Sequence, residues 1–287
     1  MESTVEYGFV VLHYMAYDMT LKCAESLLAL PVPVRLVIVD NASPDGSGEL
    51  LRDRFAASPS VTVILNESNE GFARGNNAGY KYLRDHFHCR FITVLNNDVL
   101  IKDRDFTAKV KDIYGESPFA VLGPDILNPG TGVHQNPVRL EAFSVQEVLS
   151  IMDRFGRSLR HYRWKQFKWR VKRFFLPGIE KKAPPVYHDS PMKGVVLHGA
   201  CYVFSEDFIR SRESCFNPAT FLYFEEYILH LECLRDGLVM LYNPSVQVLH
   251  LEDVSTDAAF RRPAAKEMMK LRESLRSLEV LLTLTKS

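Results

Sequence analysis

Four short apolar runs in the first hundred residues each end in side chains able to bind or ionise: FVVLH at His13 and Tyr14, VRLVIV at Asp40 and Asn41, VTVIL at Asn66, and FITVL at Asn96, Asn97 and Asp98. Ligands of an open parallel sheet collect beyond the carboxyl ends of its strands. A single Asp or Asn after a strand is ordinarily a turn or cap residue, but four in succession point to a shared cleft. Asp98 is a carboxylate that could hold Mg²⁺ or Mn²⁺ against a diphosphate, because hard cations take oxygen ligands. One carboxylate is a weak metal site. His250, which closes the later run VQVLH, is the best second ligand, while His13, His134 and His198 compete as hydrogen-bonded core or loop histidines.

Two loops are suited to a nucleotide. Asp40 to Ser47 joins a strand-end carboxylate to a turn and a helix start, where free backbone N–H groups face a ligand. Asn69 to Asn77 sets Arg74 between Gly71 and Gly75 at a helix opening, with Asn76 beside it, a placement suited to a base or diphosphate. A solvated surface arginine is the plainer alternative. Further on, Glu225 and Glu226 lie within the apolar segment FLYFEEYIL. Burial there would raise a carboxyl pKa and suit it to proton abstraction, whereas an isolated pair would serve a helix N-terminus.

The elements that carry these residues read as an α/β chain. The run at 9–13, helical spacing of Leu21, Ala24, Leu27 and Leu28, and the run at 34–39 form a β-α-β unit, and runs at 61–65 and 91–95 continue it. Near-continuous apolar strands require cover on both faces, so residues 1–100 resemble the nucleotide-binding half of an open, mostly parallel sheet flanked by helices. The middle is irregular. Strand character returns in GVVLHGACYVF and in VMLYN and VQVLH around Asn243 and Pro244, and residues 263–282 read as an amphipathic helix. The chain has 287 residues with zero formal charge, so no overall field draws it to nucleic acid. Five scattered cysteines read as reduced core thiols. The glutamate-bearing N-terminus and the shortness of the apolar runs lead us to expect a cytoplasmic protein, at most attached to the inner face of a membrane.

Taken in order, VVLHYM, VIVDNASPDGS, NEGFARGNNAGY, FITVLNNDV, LGPDI, HGACYVFS, FLYFEEYILHLECLRDG and NPSVQVLHLEDVST resemble glycosyltransferase family 2, in particular its rhamnosyltransferase-like branch that builds bacterial surface polysaccharides. The resemblance implies a GT-A fold, a UDP- or dTDP-sugar donor, a divalent metal and inversion at the anomeric carbon. It implies base contacts at Asp40 and Arg74, metal ligands at Asp98 and His250, and a catalytic base at Glu226 with Glu225 beside it. His13, Tyr14, Asn41, Asn76, Asn96 and Asn97 complete the expected donor side. Two positions depart from the family pattern: Asn96-Asn97-Asp98 offers one carboxylate where a DXD motif has two, and His13 replaces the first-strand Asn.

The expected organisation is a glycosyltransferase domain over 1–260, with an acceptor and catalytic half at 101–260, and a C-terminal helical extension over 261–287 acting as lid or homodimer contact. A basic aromatic insertion spans 154–182. Within it, 154–173 holds nine Lys or Arg and no acid, interleaved with Phe155, Tyr162, Trp164, Phe167 and Trp169. Such a segment suits an anionic membrane carrying a lipid-linked glycan acceptor, or else is a solvated face over packed aromatics. The competing function is a non-catalytic nucleotide-sugar binding or scaffold subunit of a polysaccharide assembly complex. A nucleotidyltransferase is disfavoured, since the first strand lacks a Gly-rich phosphate loop.

Overall fold

The structure is a computed structural model in which residues 5–160, 187–251 and 263–286 are described. Strands β1 (Tyr7–His13), β2 (Val34–Asp40), β3 (Val61–Leu65) and β4 (Phe91–Asn96) alternate with helices α1 (Tyr17–Leu28), α2 (Ser47–Phe55) and α3 (Gly71–Phe87). β5 (Val99–Leu100), α4 (Phe106–Glu116), β6 (Val121–Asn128), β7 (Val133–His134) and α5 (Val145–Arg160) follow. After the undescribed stretch come β8 (Met192–Lys193), β9 (Cys201–Ser205), α6 (Glu206–Ser211), α7 (Glu225–Arg235), β10 (Met240–His250) and α8 (Pro263–Lys286).

These strands form one sheet in the order β3-β2-β1-β4-β9-β6-β10-β5, with β7 on β6 and β8 on β10. β1, β2, β3 and β4 pair in parallel, as do β6 and β10, while β9 runs antiparallel between the two groups. The sheet is therefore mixed. Its parallel strands still point one way, which brings their polar tips to a common edge.

Alternate side chains of each strand build the two faces. Phe9, Val11, Leu36, Ile38 and Ile126 pack under α1, α2 and α4 through Leu27, Leu51 and Phe106. Val10, Val37, Val94, Val121 and Tyr202 pack under α3, α6 and α7 through Tyr80, Phe208 and Leu229. A smaller cluster joins α5, α7 and α8 through Val148, Ile228, Leu278 and Leu281, with Phe155, Phe224 and Tyr227 against it. The C-terminal helix is thus anchored on the helix that carries the acid pair. All five cysteines are buried free thiols, as expected.

Two sequence expectations change. GVVLHGACYVF is a loop as far as Ala200 and a strand only from Cys201. VMLYN and VQVLH form one strand, and a register irregularity between Asn243 and Gln247 absorbs Pro244, which cannot donate to the ladder. Most of the basic stretch 154–173 and the whole of Ser255 to Asp257 lie outside the described residues.

Candidate active site

Antiparallel pairing sets Val99 of β5 opposite His250 of β10. A backbone bond from Leu251 N to Asp98 O, 2.9 Å, completes the closure. His250 Nε2 consequently lies 3.3 Å from Asp98 Oδ1, and both residues are buried. The other ring nitrogen, Nδ1, donates to Gln135 Oε1 at 2.7 Å, which in the neutral ring leaves the Nε2 lone pair facing the carboxylate. Two acceptors this close require a proton or a cation between them. Asp98 Oδ1 has no hydrogen-bond donor, so the pair suits a divalent ion whose remaining ligands come from a substrate. Among the described residues no group of three or more His, Cys, Asp or Glu could hold a metal on its own.

His198 stands close by, its ring centroid 5.7 Å from that of His250. Its Nδ1 accepts from Ala200 N at 3.1 Å, and burial, with His250 beside it, pushes its pKa down to about 4. The ring is therefore neutral at pH 7, with its proton on Nε2.

The nucleotide-side residues divide into exposed and structural ones. His13 is fully buried. Its Nε2 donates to Ser47 Oγ at 2.8 Å, and Ser47 Oγ in turn donates to Asp45. Thr20 Oγ1 bonds His13 Nδ1 at 2.7 Å and accepts from Asn97 Nδ2 at 3.0 Å. A hydrogen-bonded chain thus ties the start of α2, through β1 and α1, to the residue before Asp98. Burial pushes the His13 pKa down, so the Asp40 carboxylate 3.8 Å away faces a neutral ring. Both ring nitrogens of His13 and the Nδ2 of Asn97 are thus bonded inside the protein.

Asn41 is also buried, and all its bonding capacity is spent on the chain. It donates to Asn69 Oδ1 and Gly71 O, each at 3.0 Å, and accepts from Asn66 Nδ2 and Glu70 N. The tips of β2 and β3 are thereby locked to the opening of α3. Asn76 is 1% exposed and donates to Phe72 O within α3. Asp40 accepts from Ser43 N and Oγ, and α2 packs so closely that a Cβ on Gly48 would lie 2.4 Å from its carboxylate. Tyr14 and Asn96 are partly exposed at the strand tips. Arg74 is exposed, anchored by Nε to Pro218 O at 2.9 Å.

That anchor belongs to a seam between α3 and the segment leading to α7. Phe72 N donates to Phe221 O at 2.6 Å, and Asn77 bonds both Phe216 N and Phe216 O. Gly71, at φ +78°, is required here, since a Cβ would meet Phe221 O at 2.3 Å. Tyr223 and Phe224 then take left-handed φ of 74° and 68°, a conformation costing side-chain-bearing residues about 1 to 2 kcal/mol each. This turn sets Glu225 and Glu226 in the first turn of α7. Burial pushes Glu225 up to about 8, with the neighbouring Glu226 carboxylate adding to the rise, and pushes Glu226 up to about 7. Glu225 Oε1 has no hydrogen-bond partner. The helix N-terminus favours the charged form, yet desolvation outweighs it.

The sequence model of the family described as Glycosyl transferase family 2 matches residues 9–183, more than half of the chain. The chain belongs to glycosyl transferase family 2. The matched region contains the β1 to β4 tips and Asp98 and ends before α7 and β10, so Glu225, Glu226 and His250 rest on geometry in this family member. No curated protein sequence matches the chain. Among solved structures it is similar to the mannosyltransferase PcManGT of Pyrobaculum calidifontis, in complex with GDP-Man and Mn²⁺, at 12% identity, TM-score 0.56 and coverage of 98% of this chain and 74% of that one. GalNAc-T7, with UDP, GalNAc and Mn²⁺, gives TM-score 0.58 at 12% identity over 87% of this chain and 44% of its own. S. aureus TarS with UDP gives 0.53 at 12% identity, over 93% and 64% respectively. Identities this low establish the shared GT-A-like fold, and the chain spans less than two thirds of GalNAc-T7 and TarS.

Sequence reading missed Gln135 and the Tyr223-Phe224 turn, and named Asn69 and Asn77 only as the bounds of the Arg74 segment, because the partner of each lies far along the chain.

Proposed function

We propose that this family 2 glycosyltransferase moves a sugar from a nucleoside-diphosphate donor to an acceptor hydroxyl with inversion, within the rhamnosyltransferase-like branch. The observation that carries the reading is the buried Asp98–His250 pair, 3.3 Å apart with Asp98 Oδ1 lacking a hydrogen-bond donor, at the sheet edge where the tips of the parallel strands gather. The neighbours captured with GDP-Man, UDP and Mn²⁺ support the same donor class and metal. Asp98 and His250 would hold Mg²⁺ or Mn²⁺, which when bound neutralises charge on the leaving diphosphate. The neutral His198 ring beside His250 would add an N–H donor near that ion. Arg74 and the α3 opening serve the base and diphosphate, and Asp40 with Ser43 fixes the turn against which the ribose packs.

Glu226, partly exposed and with a pKa near neutrality, accepts the acceptor hydroxyl's proton as the oxygen attacks the anomeric carbon from the side opposite the diphosphate. Glu225 beside it is raised as well, by burial and by the Glu226 carboxylate, so the two acids share protons near neutrality. The acceptor is a glycan or lipid-linked glycan. The basic stretch 154–173 supplies charge that would suit an anionic membrane bearing it. Among the described residues, no helix is long and apolar enough to cross a membrane.

A thermal-shift screen of UDP-, dTDP- and GDP-sugars with and without Mn²⁺ tests the donor half. A true donor at a hundred times its Kd stabilises the fold by about 2.7 kcal/mol, and the shift should require Mn²⁺. Radiolabelled sugar release and transfer then separates an enzyme from a scaffold subunit, since a binding subunit shifts but never turns over.

A further inference from the structure

Asp125 is 1% exposed, yet it is a carboxylate on a strand of the central sheet. The register irregularity in β10 sets Gln247 opposite it, and Gln247 Nε2 donates to Asp125 Oδ2 at 2.8 Å. Both carboxylate oxygens also receive His134 Nδ1, at 2.8 and 3.0 Å. His134 is partly exposed. In the neutral ring, whose one proton then lies on Nδ1 toward Asp125, Nε2 presents a lone pair, and it has no hydrogen bond among the described residues. The Tyr187 ring, 49% exposed, lies 4.4 Å from the imidazole, centroid to centroid. Tyr187 is placed by its neighbour: His188 O accepts from the hydroxyl of the fully buried Tyr242 at 2.9 Å.

The location is informative. β6 ends at the same sheet edge as β1, β2 and β4, and Asp125 alternates in phase with Val121, which packs on the α7 face of the sheet. His134 directly precedes Gln135, which holds His250, and consecutive extended residues point to opposite sides. One hairpin therefore supports the metal pair on one side and this cluster on the other. The segment after it runs to Phe143, whose ring lies 4.7 Å from Tyr227, the residue following Glu226.

We infer that Asp125, His134 and Tyr187 form a carbohydrate subsite for the acceptor. A sugar offers a C–H face that packs on an exposed tyrosine and hydroxyls that can donate to a fixed imidazole nitrogen. Buried Asp125 holds the ring in one tautomer and orientation, as a binding group requires. The inference rests on the transferase reading and adds the residues that grip the acceptor.

The test uses the full chain, Tyr187→Ala and His134→Ala, with methyl α-D-mannoside, methyl β-D-galactoside and methyl α-L-rhamnoside as acceptor-side probes in saturation-transfer NMR. Titration of UDP, GDP and dTDP with Mn²⁺ reports the donor side separately. At least one glycoside should bind the unaltered chain and bind about tenfold more weakly to each variant, with nucleoside diphosphate affinity unchanged. Tyr187→Ala removes a half-exposed ring and keeps the comparison valid if His134→Ala fails to fold. Absence of glycoside binding, or binding equal in all three proteins, overturns the subsite. If no nucleoside diphosphate binds while the glycoside contrast persists, the donor reading falls and the carbohydrate site stands.

Discussion

Glu225 and Glu226 occupy one helical turn, and their proton affinities follow from burial more than from the α7 dipole. Because the folded carboxyls hold protons more tightly than unfolded ones, ionising them opposes folding. Stability should fall as pH rises from about 5 to about 8, the window set by the ordinary carboxylate range and the raised values. Glu225→Gln should flatten that fall, as thermal melts across the range would reveal. Turnover moves the other way, rising through pH 7 as Glu226 ionises; a pH profile flat from 6 to 8 would remove it as the base. Glu226→Gln should lose about 10² to 10⁴-fold in transfer rate while keeping the nucleotide-induced melting shift. His13 is a different kind of residue, acting through Thr20 and Ser47. His13→Leu leaves buried hydroxyls short of a partner and should cost about 1 to 3 kcal/mol in urea unfolding, with weaker nucleoside diphosphate binding.

The helices decide how those residues are held. α3 opens at the tips of β2 and β3 and is laced to the segment before α7, while α8 supports that segment from behind. Ser277 Oγ donates to Leu222 O at 3.4 Å, Lys270 lies over the Tyr223 ring, and Phe224 shares a cluster with Leu278 and Leu281. The left-handed turn at Tyr223 and Phe224 persists because packing on both sides determines it. Leu281→Ala should therefore cost about 2 to 5 kcal/mol. At a temperature where that variant remains folded, it should lower transfer more than nucleotide affinity, since α8 packs on α7 and on the turn that leads into the two acids. Equal losses in both measurements would show that α8 stabilises the whole molecule without positioning the acids. The sequence pattern of 263–282 revealed this helix, but not its partner, because amphipathic spacing states that a face is buried and not against what.

At the scale of the whole molecule, the mixed sheet brings Asp98 and His250 together from distant parts of the chain, with β9 inserted between the parallel groups. Asp98→Asn should remove the manganese dependence of nucleotide binding, read as equal melting temperatures with Mn²⁺ and with EDTA; a persistent Mn²⁺ shift would place the ion elsewhere. The strand runs and their polar tips were legible in the residues themselves, because apolar runs and the turn chemistry of Asp, Asn and Gly are local properties. The same is true of Glu225 and Glu226, conspicuous as acids within an apolar segment. Local pattern failed at GVVLHGACYVF, where an apolar run is a buried loop held by Asn136 Oδ1 to His198 N, and at Pro244, where the partner strand's register absorbs the break. The sequence already ranks His250 ahead of His13, His134 and His198 by its place at a strand end, and only tertiary structure shows what faces each ring. The four histidines share one chemistry, and their roles differ through what lies across the sheet from each: Thr20 and Ser47, Asp125, a backbone amide, or an unpaired carboxylate oxygen.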